Sequence, residues 1–289
     1  MLFEGLMRGE EVVISMVAEP EAFRVSEQLQ PMTCPRLEVA EGNMVLGSVG
    51  RHQCKIMLDS ASNCATISYS FAKQARLITG LEMRMPVEFE AWYGKVILSV
   101  ILLPSVTIKL EDKVKLRTSL LVIPREVEEA WDYPNIVLDV HIFQLGKMLH
   151  VFRSGRSFLY IRDPDNLRRR IHRLPNRFNT FKVRRANDPR DKTFIVLLDT
   201  GTANFHLSDF CRQQFIPQSL INEPLYVHIY LVGRCPLETD QVKLLPSMKY
   251  DFVMGRNLLF KYNATVDYGN HFVTFQVGSY TAKVNLLTS

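Results

Sequence analysis

The sequence predicts an all-β protein built as two similar halves. Three observations carry that expectation. Short runs of β-branched and apolar residues recur along the 289 residues, separated by glycine, proline or polar turns. Two of these runs end abruptly at an acid followed by small hydroxyl residues: Cys54-Lys-Ile-Met-Leu-Asp59-Ser-Ala-Ser62 and Phe194-Ile-Val-Leu-Leu-Asp199-Thr-Gly-Thr202. A carboxylate at the end of a buried strand is costly unless something pairs with it, so its recurrence points to a use. The residues beyond each acid also repeat. With Asp59 laid on Asp199, Ile67 meets Leu207, Ser68 meets Ser208 and Gln74 meets Gln214, and further on Ile136-Val-Leu-Asp139 meets Phe252-Val-Met-Gly255.

Composition fits this plan. Apolar residues make up 47% and charged residues 22%, with a net charge of +5. That is ordinary for a globular chain and suits two lobes of roughly 100–150 residues each. The longest apolar run, Val96 to Leu103, contains Ser99 and stops at Pro104, too short to span a bilayer. Glu4, Glu10 and Glu11 interrupt the stretch where a signal peptide would have its apolar core. The five cysteines lack paired metal-ligand spacing, which predicts free thiols in a reducing compartment, cytoplasmic or nuclear, and no metal or cofactor.

The N-terminal residues 1–37 form an extension in which Val12-Val-Ile-Ser-Met-Val17 reads as a strand, with Pro20, Pro31 and Pro35 breaking the remainder. Met44–Val49 and Cys54–Leu58 flank Gly50-Arg-His-Gln53 as a hairpin. Ile67–Leu77 has helical spacing. Val87–Gly94 with Lys95–Leu103 predicts one long hairpin, and Val106–Leu110 with Val114–Ile123 a second. Asn135-Ile-Val-Leu138 is a strand and His150–Tyr160 a hairpin turned at Gly155. The Arg-rich stretch after it, with Arg168, Arg169 and Arg170, reads as a solvated linker or as a strip making weak phosphate contacts to nucleic acid; no aromatic-and-glycine motif accompanies it. The second half opens with Thr180–Arg184 and offers one long hairpin, Leu225–Val232 with Val242–Leu245. Asp59 and Asp199 stand 140 residues apart but Asp139 and Gly255 only 116, so the second half lacks 24 residues, about one hairpin.

Two segments carry a family resemblance. Phe252-Val-Met-Gly-Arg-Asn-Leu-Leu259 resembles the retroviral retropepsins, and Leu58-Asp-Ser-Ala-Ser-Asn-Cys-Ala-Thr-Ile-Ser68 resembles the proteases of BEL/Pao-type retrotransposons. The resemblance covers about residues 38–160 and 178–278. It implies retropepsin-like lobes in tandem, arranged about a pseudo-twofold axis as in pepsin: lobe 1 at 38–161 with a flap, a linker at 162–177, and lobe 2 at 178–289 without one. It implies an aspartic endopeptidase in which Asp59 and Asp199 share a proton and activate a water. Ser60 and Thr200 would tie the two loops together, Gly201 would let backbone approach the substrate, and the hydroxyls of Ser62 and Thr202 would bond the outer carboxylate oxygens. The flap tip falls at Trp92-Tyr93-Gly94. In two-lobed relatives the chain termini pair beneath the lobes, a role open to Val12–Val17 and Ala282–Leu287; a loosely attached leader is the alternative. Ala61 stands where the family has glycine, crowding the substrate side. Asp139 stands where the later glycine falls, adding a third carboxylate that shifts the pair's titration. The implied partner is a polypeptide, with the protein a monomer or dimer away from membranes. A catalytically inactive, domesticated relative serving as a protein-binding or scaffolding module is the alternative function.

Overall fold

The structure, a computed structural model, describes residues 12–18, 22–25, 33–91, 94–168, 179–186, 192–216, 223–231, 236–245 and 248–287. Strands dominate and the helices are short. Three strands precede the first half: β1 (Val12–Ala18), β2 (Ala22–Val25) and β3 (Arg36–Val39). The first half then runs β4 (Met44–Val49), β5 (His52–Leu58), β6 (Thr66–Ser68), α1 (Tyr69–Gln74), β7 (Met85–Ala91), β8 (Gly94–Leu110), β9 (Val114–Ile123), α2 (Arg125–Trp131), β10 (Ile136–Leu138), α3 (Val140–Leu145), β11 (Leu149–Arg153) and β12 (Arg156–Tyr160). The second half runs β13 (Thr180–Arg185), β14 (Phe194–Leu198), β15 (His206–Ser208), α4 (Asp209–Phe215), β16 (Leu225–Tyr230), β17 (Pro236–Glu238), β18 (Lys243–Leu245), β19 (Phe252–Met254), α5 (Arg256–Lys261), β20 (Thr265–Asp267), β21 (Phe272–Val277) and β22 (Tyr280–Asn285).

The first half is one curled sheet, ordered β4-β5-β10-β6-β9-β8-β7, and β8 also pairs with β4, which closes a barrel. β9 shows why it sits in the wall: Val114, Leu116, Thr118 and Leu120 are buried while the residues between them are exposed, the period-two pattern of a strand with one face inward. The two hairpins expected between residues 87 and 123 are instead a three-stranded meander, because β8 runs unbroken for 17 residues. Pro104, which cannot donate to a ladder, sits in the register shift between Leu103 and Val106. The helix expected over Ile67–Leu77 starts only at Tyr69; Ile67 and Ser68 belong to buried β6 instead. Ser68 caps the helix by accepting from Phe71 N at 3.3 Å, and its counterpart Ser208 caps α4 by accepting from Cys211 N at 3.0 Å.

The second half repeats the wiring. β14 lies parallel to β19, which is antiparallel to β15, just as β5 lies parallel to β10, which is antiparallel to β6. Two differences stand out. Among the described residues β7 and the first part of β8 have no counterpart, in keeping with the missing 24 residues. And β1 enters the second sheet between β13 and β16, antiparallel to one and parallel to the other, where in the first half β4 and β8 meet directly. The partner expected for this strand was Ala282–Leu287. That pairing is made by β2, whose Ala22 faces Val284. β1 goes elsewhere because its own apolar residues Ile14, Met16 and Ala18 are buried in the second-half core. Likewise β16 forms its ladder with β17; of the expected partner, Val242 N donates to Leu225 O at 2.8 Å, and β18 runs parallel to β15.

A third sheet, β2-β22-β21-β20-β11-β12-β3, joins the closing hairpins of both halves. Its centre is the β11–β20 ladder, where His150 faces Val266. One continuous apolar core runs through all three sheets, with Phe143, Phe152, Phe181, Phe194, Phe252 and Tyr268 fully buried. Cys54 and Cys211 are buried within it as small apolar residues. Among the described residues no helix is long and apolar enough to cross a membrane.

Candidate active site

Each acid is set at the end of a strand by the strand behind it. Asp59 N donates to Leu138 O and Asp199 N to Met254 O, both at 3.0 Å, so β10 and β19 hold the two loops at the same height. Each loop then folds back on its acid. Ala61 N and Ser62 N donate to Asp59 Oδ1 at 2.9 and 3.1 Å; Gly201 N and Thr202 N donate to Asp199 Oδ1 at 2.7 and 3.2 Å. The loop ends are pinned by Val140 N to Ser62 O at 3.1 Å and Arg256 N to Thr202 O at 2.9 Å.

The two loops cross. Ser60 Oγ donates to Leu198 O at 3.0 Å and accepts from Thr200 N at 3.0 Å. Thr200 Oγ1 donates to Leu58 O at 3.0 Å and accepts from Ser60 N at 3.1 Å. This reciprocity is that of a local twofold axis, and both side chains are fully buried. The crossing brings the acids together: Asp59 Oδ1 and Asp199 Oδ1 each lie 3.0 Å from the point that a Cβ on Gly201 would occupy. Burial is the main reason both titrate above the ordinary carboxylate range; the charge of Asp59 raises the proton affinity of Asp199 further, whereas the contact with Asp199 lowers that of Asp59. The pair therefore retains a proton where an exposed aspartate would be fully ionised. Asp199 is 2% exposed, while Asp59 is only partly buried and faces a cavity.

That cavity has a volume of about 220 Å³. Its lining includes Met57, Asp59 and Ala61, Phe89, Val96 and Leu98 of the β7–β8 hairpin, Val127 and Trp131 of α2, and Tyr250. Engineered apolar cavities of about 150 Å³ bind benzene, so this one has room for a bulky apolar side chain.

Of the residues singled out in the sequence, Asp59, Ser60, Ala61, Ser62, Asp199, Thr200, Gly201 and Thr202 converge on the crossing. Gly201 is required there: a Cβ would lie 2.9 Å from Asp59 Cγ and 3.0 Å from Asp199 Oδ1. Ala61 keeps a negative φ. The hydroxyls of Ser62 and Thr202 do not serve the carboxylates as expected. Their backbone N–H groups do, because the tight loop turns the amides inward; Ser62 Oγ donates to Cys64 O at 2.9 Å and Thr202 Oγ1 pairs with His206 Nε2 at 3.2 Å. Gly94 pairs with Ala91 at the end of the long hairpin, while Trp92 and Tyr93 lie outside the described residues. Arg168 is exposed and ion-paired with Asp165 at 3.3 Å; Arg169 and Arg170 also lie outside the described residues. Among the described residues no cluster of three or more His, Cys, Asp or Glu side chains could hold a metal ion.

Asp139 has a local job. It caps α3, accepting from Ile142 N at 3.1 Å, with His141 Nδ1 at 3.4 Å. Its charge raises the proton affinity of Asp59, but less than burial does. In the second half Gly255 takes this place, because the loop packs so closely that a Cβ would lie 2.3 Å from Asn204 O and 2.7 Å from Ala203 O. There α5 is tied to the loop by Asn257 N to Ala203 O at 3.0 Å instead of being capped by a side chain.

Sequence reasoning missed four residues. Asn43 Nδ2 donates to Leu58 O, and Asn179 Nδ2 donates to Ser60 O at 3.4 Å. A signal for them existed: register places each directly before the strand that pairs with its acid strand, Met44 opposite Met57 and Thr180 opposite Leu197. Arg256 Nη1 donates to Thr200 O at 2.9 Å and Gly201 O at 3.0 Å. Tyr268 is buried beneath the crossing against Ser60 and Thr200, and burial pushes its phenol well above the usual range. The chain matches no protein-family model and no curated protein.

Proposed function

We propose that the chain is an aspartic endopeptidase, with two retropepsin-like lobes in tandem supplying one acid each. The observation that carries the reading is the reciprocal Ser60–Thr200 crossing, with the two aspartate carboxyl groups brought together around Gly201. Uncatalysed peptide hydrolysis is slow because water is a poor nucleophile and the amide a poor electrophile. A carboxylate sharing one proton with a second carboxyl meets both needs. The ionised partner takes a proton from water as its oxygen bonds the scissile carbonyl carbon. The protonated partner donates to the carbonyl oxygen. Collapse of the tetrahedral species breaks the C–N bond, and the proton taken from water passes to the leaving nitrogen. The backbone N–H groups on each Oδ1 fix the carboxyl orientations throughout. The cavity beside Asp59 would seat a bulky apolar side chain of the polypeptide, under the β7–β8 hairpin.

Digestion of a peptide library between about pH 4 and 7, with and without a pepstatin-type inhibitor, tests the reading. Cleavage should follow large apolar residues, stop with the inhibitor, and vanish in Asp59→Asn and Asp199→Asn. Equal cleavage by either variant would sink the shared-proton mechanism. The Ala61 methyl in the cavity lining favours a second reading, a peptide-binding module without turnover. Peptide binding that survives both Asp→Asn changes, with no cleavage by the native chain, would establish it.

A further inference from the structure

The two halves of the crossing are alike in hydrogen bonding and unlike in charge. Arg256 is the first residue of α5; its counterpart at the start of α3 is Val140. Its guanidinium reaches two carbonyls, Thr200 O and Gly201 O. Those carbonyls belong to the peptide groups whose N–H ends, Gly201 N and Thr202 N, donate to Asp199 Oδ1. A cation on the oxygen of an amide draws electron density through the conjugated C–N bond and makes its N–H a stronger donor. Both amides facing Asp199 are thus charge-assisted. In the first half, among the described residues, Ser60 O meets the neutral amide of Asn179, at 3.4 Å, on the peptide group that carries Ala61 N.

We propose that Arg256 is a positioning residue that acts through these two peptide groups to stabilise the anionic form of the Asp59–Asp199 pair, and so sets the pH range over which the pair holds a single proton. The charged and titratable groups around it agree with such a role. Asp199, Asp59 and Glu41 all interact favourably with the guanidinium, Asp139 adds a weaker negative charge on the Asp59 side, and His150 is kept neutral by its burial and by Arg256 itself. Burial opposes the guanidinium's charge, so the surrounding carboxylates offset a real cost.

Arg256→Gln tests this, because it keeps a donor for the carbonyls and removes the charge. The titration of the pair is read directly by carbon NMR of the full chain labelled at aspartate carboxyls, with Asp59→Asn and Asp199→Asn for assignment. A cation favours carboxylates, so its loss should raise the pair's apparent midpoints, by about one pH unit or tenfold in proton affinity. Arg256→Lys, which retains charge without the two-pronged contact, should shift them in the same direction by less, and it serves alone if the glutamine variant does not fold. The inference rests on the proteolytic reading only for its consequence: both limbs of the cleavage pH profile should move up with the carboxyl midpoints. If the native chain cleaves nothing, the carboxyl titration still decides the role of Arg256. Unmoved midpoints in folded variants, or a loss of turnover at every pH with the profile unshifted, would overturn it.

Discussion

Removing either hydroxyl of the crossing should destabilise the protein, and the two losses should be unequal. Ser60→Ala deletes the group that donates to Leu198 O and accepts from Thr200 N. Both backbone groups are then buried without those partners. Thr200→Val deletes the donor to Leu58 O and the acceptor for Ser60 N, but Leu58 O retains Asn43 Nδ2, a second donor that Leu198 O does not have among the described hydrogen bonds. An orphaned buried polar group costs about 1–3 kcal/mol. Two orphans against one gives about 3–4 kcal/mol for Ser60→Ala and about 2 kcal/mol for Thr200→Val. Urea unfolding of the full chain, followed at fixed pH and compared through midpoints and slopes, reads the difference. A Thr200→Val variant as damaged as Ser60→Ala would refute the argument from Asn43, and costs below about 0.5 kcal/mol in both would refute the crossing as a source of stability.

Gly255→Ala should destabilise more than Asp139→Ala, since the first drives a Cβ into Asn204 O and the second removes a helix cap worth about 1 kcal/mol; thermal melts of the two variants check the order. His150 is fully buried and its pKa is lowered from 6.5 to about 3, so the unfolded chain binds the extra proton and stability falls as pH drops below 6.5. His150→Leu should remove that slope, gaining about 2 kcal/mol relative to the native chain at pH 5 over any difference at pH 8; parallel slopes from pH 8 to 5 would exclude the effect. Met16→Ala, at a fully buried position of β1, should cost about 2–5 kcal/mol and raise amide exchange in β13 and β16, its two strand neighbours; exchange unchanged there would mean β1 is dispensable.

The sequence made local features legible and left long-range ones hidden. Strands such as β5, β9 and β14 announce themselves by alternation or by a β-branched run, and the acid loops by an abrupt change from apolar to hydroxyl residues. The Ser68–Ser208 match was legible, but its use as two equivalent helix caps was not, because helix spacing alone placed the start of the first too early. The identity of the partner for Val12–Val17 could not be read, because a strand's alternation says which face is apolar and nothing about which edge is open. Asp139 looked like an intrusion for a related reason. Its use depends on where α3 begins, and at this position a capping carboxylate and a glycine that admits a close loop are alternative solutions. The reach of Arg256 to two carbonyls was invisible because side-chain direction is settled only when helix and loop are both in place.

The placement of β1 has a consequence for how the chain can be assembled and divided. Met16 pairs with Arg185 and with Ile229, so an early strand waits for partners that lie beyond the whole first barrel. Such distant pairing makes for slow folding and leaves the second sheet with a gap between β13 and β16 until the strand arrives, while the first barrel closes on contacts made within itself. A cut between the halves would therefore not yield two self-sufficient pieces. The first piece would carry a strand it has no place for, and the second would expose the β13 and β16 edges as a template for a foreign strand. Moving residues 12–18 onto the second piece through a linker should restore its solubility.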